Sequence, residues 1–226
     1  NVVRRVPLLF YALAVLVVAV FVFGAYVPLP RPLWSLLLVL VQKCLLPLAL
    51  FAVVMFIGVL PGESRAKAWL RPVRAELSIV AWILSLGHMA LYLASYAPRL
   101  LGGRVDGNVL AALMLALVLF ALLLVLGVTS FNAVRADTWK RVQLLAYPFF
   151  GLVYVHLLLM LLPSALQGGA AAQASVAAYT AVFGTYAVLR VTRALLDRRM
   201  AASVEEVATH TVEQRPCRYC TVSSVA

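Results

Sequence analysis

The sequence predicts an all-α, polytopic membrane bundle of six transmembrane helices with both termini in the cytoplasm. Three observations lead there. The chain is 65% hydrophobic over 226 residues, with a mean hydropathy of +1.01, whereas soluble domains run near half apolar. Several stretches exceed the roughly 20 apolar residues that cross a bilayer. The basic residues of a chain with net charge +11 fall mostly in the connections on one side of those stretches, the cytoplasmic side by the positive-inside rule.

The first span is Pro7–Val27, preceded by Arg4 and Arg5. The chain opens on Asn1, as a trimmed fragment would. The apolar run is long and shows no small-x-small cleavage site, so it is expected to be retained rather than removed as a leader. The second span lies within Leu33–Leu60, interrupted by Gln42, Lys43 and Pro47. Proline lacks the N–H of a helix hydrogen bond, so a kink is expected at Pro47. Lys43 is expected to pair or to reach for an interface. The third span runs over Glu76–Tyr96, the fourth over Asn108–Phe131, the fifth over Arg141–Leu162 and the sixth over Gln173–Leu196.

Charge sets the direction. Arg4 and Arg5, then Arg65, Lys67, Arg71 and Arg74, then Arg135, Lys140 and Arg141, then Arg193, Arg198 and Arg199 occupy one side. Only Arg31, Arg99 and Arg104 occupy the other. Residues 1–196 therefore read as one transmembrane domain, and 197–226 as a polar cytoplasmic tail expected to be largely disordered. No GxGxxG or P-loop pattern occurs, and no separate flavin- or nucleotide-binding domain is expected. Loop position assigns the positive charge to topology and to anionic lipid headgroups, and no nucleic-acid partner is expected.

Two histidines lie inside this apolar frame, His88 in the third span and His156 in the fifth. Ionisable groups at such depth are costly and mark functional sites. Both spans run outward. His88 lies about 18 Å along its helix from Glu76, and His156 about 22 Å from Arg141, at about 1.5 Å per residue. Both imidazoles thus fall past the midplane at similar depth, with Gly87 and Gly151 on the same helices as small residues that permit close approach. A depth-matched pair suits the two axial positions of one haem iron, whereas zinc takes more protein ligands. The bland alternative is that each histidine is a hydrogen-bonded polar residue in the bundle.

The chain resembles the ferric-reductase-like transmembrane domain family. The resemblance is carried by Arg71-x-x-Arg74-x-x-Leu77 opening a helix that continues to His88 and Tyr92. A second block runs Thr129-Ser130-Phe131-Asn132, Trp139-Lys140-Arg141, Tyr147 and His156. It covers about Leu70 to Pro163. Within the family, the haem-binding membrane subunit of the bacterial methionine sulfoxide reductase system is more similar than the haem core of NADPH oxidases. The resemblance implies up to two haems and one-electron transfer across a bacterial inner membrane. It also shows a departure. Where relatives place further histidines, this chain has Arg74 and Gln143, so one haem b is expected, held by His88 and His156. Arg74 is expected to meet lipid phosphate; the alternative is that Arg74 and Gln143 hold a quinone, a flavin such as FMN, or a propionate.

The function so implied is a transmembrane b-type cytochrome, the electron-transfer component of an oxidoreductase. It would take single electrons from quinol or a separate flavoprotein partner to an acceptor outside. A haem confined to the outer half favours a donor within the membrane. Tyr92, Trp139 and Tyr147 are bulky residues whose ordinary role is packing or interfacial anchoring. In the tail, Cys217-x-x-Cys220 and His210 offer too few ligands for a structural zinc site within one chain, and Cys44 reads as an inert apolar thiol. The rival readings are a haem-less membrane anchor for a reductase and a small transporter.

Overall fold

A computed structural model describes residues 2–24, 29–61, 64–131 and 141–213; the side chains of residues 2–8, 10, 129–131 and 204–213 are not described. All regular structure among them is helical. In order the helices are α1 (Val2–Gly24), α2 (Arg31–Leu37), α3 (Leu45–Val59), α4 (Arg65–Leu70), α5 (Arg74–Leu101), α6 (Gly107–Phe131), α7 (Ala146–Leu166) and α8 (Ala170–Glu213).

Four stretches are long and apolar enough to cross a membrane: Arg74–Leu101, Gly107–Val128, Arg141–Leu166 and Ala170–Ser203. A fifth span arises if the bent pair Arg31–Gln42 and Leu45–Val59 is taken as one. The chain is thus a multi-pass membrane protein. Its surface is apolar as lipid contact demands: Leu13, Phe23, Leu93, Leu117 and Val188 are all exposed. In α1 the apolar stretch among the described residues, Tyr11–Gly24, is shorter than a span.

Two helix contacts organise the first part of the bundle. α5 packs against α1 on one side and α3 on the other. α1 runs alongside α5 in the same direction, with Val18 on Gly87 and Phe21 clustered with Leu91. A Cβ at Gly87 would lie 2.9 Å from both methyls of Val18. The close approach expected at this small residue is that of another helix. Gly151 has an exposed, open face with nothing within 4 Å. Gly87→Val is expected to push α1 off α5 and cost about 1–3 kcal/mol, the usual penalty of overpacking. Thermal unfolding in detergent reads it, and an unchanged midpoint would show that α1 contributes little to the bundle.

The second span is broken, but not at Pro47. α2 passes into a π-helical turn, Leu38–Gln42, and the chain then reverses hand at Cys44, whose φ is 55°. α3 restarts at Leu45, bent by 45° from the preceding segment. The proline acts at a distance. In a continuous helix its ring would strike the carbonyl of Lys43, so the chain breaks one turn earlier and Pro47 sits buried in the first turn of α3. Lys43 is exposed at the break. Beyond α3, the Ser64 hydroxyl caps α4 by accepting from the Lys67 amide at 3.3 Å, and Lys67 Nζ donates to the Leu60 carbonyl at 3.0 Å.

The second part of the bundle is α6 against α7, with Leu119, Leu123 and Phe149 at its centre. α6 is joined to α5 through Trp82, whose Nε1 donates to the Leu123 carbonyl at 2.9 Å. The face of α7 towards the start of α8 carries Phe150 and Tyr154, both ring-to-ring with Phe183, and the Tyr154 hydroxyl meets that of Thr180 at 2.8 Å.

By its contacts the chain divides into two compact units, Asn1–Phe183 and Gly184–Ala226. In the second, the helix begun at Ala170 runs on through the polar stretch to Glu213, with Arg193 paired to Asp197 at 3.1 Å one turn apart. The stretch expected as a disordered tail is therefore helical to Glu213. The His210 side chain and Cys217, Arg218, Tyr219 and Cys220 lie outside the described residues, as do Asn132, Arg135, Trp139 and Lys140 and the side chains of Thr129 and Ser130.

Candidate functional site

His88 sits near the middle of α5 and His156 near the middle of α7. These helices are not a closely packed pair: α5 leans on α1 and α3, and α7 leans on α6. Each histidine is partly buried.

What holds each ring is a backbone carbonyl from another segment. His88 Nδ1 lies 2.6 Å from the carbonyl oxygen of Gln42, at the break of the second span. His156 Nδ1 lies 3.1 Å from the carbonyl oxygen of Ala112 on α6. A carbonyl can only accept, so in both contacts Nδ1 must carry the proton. The neutral ring then has its lone pair on Nε2. Two histidines on different helices are thus fixed in the same tautomer with the same nitrogen left to ligate. A backbone carbonyl on the far ring nitrogen is the usual outer support of a metal-bound histidine.

Around His88 the Tyr92 ring is tilted against the imidazole at 4.6 Å between centroids. Tyr92 stacks in turn on Tyr96 at 5.8 Å, and the Arg99 guanidinium lies 5.5 Å from the Tyr96 ring centroid. One face of α5 therefore carries a continuous ladder from the histidine to the end of the helix. Among the described residues no three of His, Cys, Asp and Glu gather to hold a metal ion. A bare ion would ask for more donors than this pair provides; haem brings four ring nitrogens of its own and asks the protein for two.

Arg74 and Gln143, expected at a cofactor site, do not join the histidines. Both instead line one small cavity, of about 60 Å³, at the N-terminal ends of the segments carrying His88 and His156. Ser78 completes its polar part, and Trp82, Phe51 and Phe149 stand in its walls. Nothing in the residue pattern singles out Ser78 or Trp82, nor the carbonyls of Gln42 and Ala112. Trp82 falls between Ser78 and His88 on the same helix, and that spacing was the one signal on offer.

No protein-family model matches the chain. No solved structure matches it either. A protein of Treponema pallidum (strain Nichols), described as an uncharacterized protein, is 44% identical over 162 residues. The match covers 69% of this chain and 45% of that relative, so the chain spans less than half its length.

Proposed function

We propose that this chain is a six-span b-type cytochrome of a bacterial inner membrane, with both termini cytoplasmic, holding one haem between His88 and His156. It passes single electrons from a quinol or a flavoprotein on the cytoplasmic side to an acceptor outside. The observation that carries the reading is the matched tautomer: both imidazoles donate through Nδ1 to a carbonyl of a neighbouring segment, which leaves both Nε2 atoms as ligands. When bound, haem supplies a one-electron iron couple whose potential depends on axial ligands, burial and hydrogen bonding to those ligands. The chain contributes the ligands, their orientation and a surround of apolar helices that limits water. The orientation follows from Arg65, Lys67, Arg71, Arg74 and Arg141 at one end of the spans against Arg99 and Arg104 at the other.

The test is optical. Protein purified from cells supplied with haem is expected to give a dithionite-reduced minus oxidised spectrum of b type, with one haem per chain by pyridine haemochrome. A colourless protein, or two haems per chain, would refute the assignment.

One observation favours a transporter instead. The second span is unwound at Gln42–Cys44, and broken helices mark substrate sites in transporters. Here the Gln42 carbonyl is already taken by His88, which supports a ligand-positioning role for the break. Solute flux in haem-free liposomes separates the two readings.

A further inference from the structure

Lys43 stands at the break of the second span, level with the middle of α5. The Gln42 carbonyl beside it meets His88 Nδ1 at 2.6 Å. His88 lies near the midpoint of the 28-residue α5, roughly 20 Å from either end at about 1.5 Å per residue. The packing on both sides agrees: Leu37 and Val41 cluster with Leu91, and Phe51 packs in the cluster that holds Trp82. The second span thus runs beside a helix that is itself a membrane span by length and composition, and Lys43 falls deep in the bilayer. Its side chain is exposed and makes no hydrogen bond or ion pair among the described residues. Around it the surface is apolar: from Leu36 to Val53 the other exposed residues are Leu36, Val39, Leu45, Ala49 and Val53.

An ammonium at that depth is expensive and calls for an opposite charge. This chain supplies none there. Of its eight aspartates and glutamates, none falls in the interior of an apolar run. Glu76 comes nearest, in the first turn of α5, about 18 Å along the helix from the level of His88. A lipid phosphate is also out of reach. The hydrocarbon core extends roughly 15 Å from midplane to headgroups, and the stem of a lysine covers about 6 Å. A second copy of the chain would bring only another lysine to this level. The missing anion must therefore arrive inside the bilayer on a different molecule, and a protein segment at such depth is a helix, whose backbone polar groups are satisfied internally. We propose that the exposed face around Lys43 docks a transmembrane helix of a partner protein, with an aspartate or glutamate at mid-depth accepting from the Lys43 ammonium. Leu36, Val39, Leu45 and Val53 supply the apolar surface on either side of the ion pair. The proposal concerns assembly and stands whether or not the histidine pair holds haem.

The test uses the full chain in phosphatidylcholine vesicles and two leucine-rich transmembrane peptides, one with aspartate at its centre and one with leucine there. Association is read by energy transfer between labels on chain and peptide. The native chain is expected to bind the aspartate peptide about tenfold more tightly, the effect of one polar pair between helices in lipid. Lys43→Arg is expected to keep this preference, and Lys43→Leu and Lys43→Met to abolish it. Helical circular dichroism should be unchanged in all three, since the side chain holds nothing in the fold. His88→Ala should keep the preference, so the haem assignment can fail separately. Equal binding of the two peptides by the native chain, or a preference that survives in Lys43→Leu, overturns the proposal. Loss of the preference on adding phosphatidylglycerol overturns it in favour of lipid phosphate. Loss of b-type absorbance in Lys43→Leu overturns it in favour of a haem propionate as the partner of the ammonium.

Discussion

His88→Ala and His156→Ala are each expected to leave the purified protein without b-type absorbance. Either change removes one of the two axial ligands that hold the haem in a bis-histidine site. Fold is expected to survive. Each ring makes one hydrogen bond to a backbone carbonyl, and such a bond contributes about 1 kcal/mol net. Helical circular dichroism and elution volume should therefore match the native chain. Tyr154→Phe serves as the control, because it removes only the contact with Thr180; it should keep full haem while losing about 1 kcal/mol of stability. If both histidine variants retain the native haem content, the axial assignment is wrong.

The second large effect concerns packing. Gly127 is the point where α6 admits the Trp82 indole: a Cβ there would stand 2.2 Å from Nε1 and 2.4 Å from Cε2. Neither is the tip of a flexible chain, so Gly127→Ala must move the whole ring. The expected cost is about 3 kcal/mol, combining overpacking with the loss of the Trp82–Leu123 hydrogen bond. The double variant Gly127→Ala with Trp82→Leu should recover a good part of this, because the methyl then fills space that the ring has vacated. Strict additivity of the two single changes would show that the ring and the glycine do not act as a pair.

Much of this was legible in the sequence. Apolar runs located α5, α6, α7 and the start of α8 to within a few residues, because the bilayer imposes length and composition together. The depth match expected of His88 and His156 rests on helical rise alone. Other features were hidden for identifiable reasons. Every residue has a carbonyl, so nothing in the sequence marks those of Gln42 and Ala112 as the acceptors. The break was expected at Pro47 and occurs at Gln42–Cys44, since a proline disturbs the preceding turn rather than its own. Gly87 was read as a small residue permitting close approach, and that the approaching group is Val18 of α1 depends on which neighbour faces it. Arg74 and Gln143 were named separately, but their convergence on one cavity with Ser78 is a matter of helix rotation. The helical extension to Glu213 ran against composition, which had suggested disorder; Arg193 and Asp197, spaced one turn apart, were its visible clue.

The grip on His88 has a mechanical consequence. Its acceptor belongs to a hinge between two half-helices rather than to a rigid rod, so the aim of the imidazole is tied to the angle of that joint. A force that straightens or folds the joint, from altered bilayer thickness or a protein pressing on α2, would turn the ring about its anchored nitrogen. The ligand field at this position would then respond to strain in the surrounding membrane, while His156, moored to the unbroken α6, would stay still.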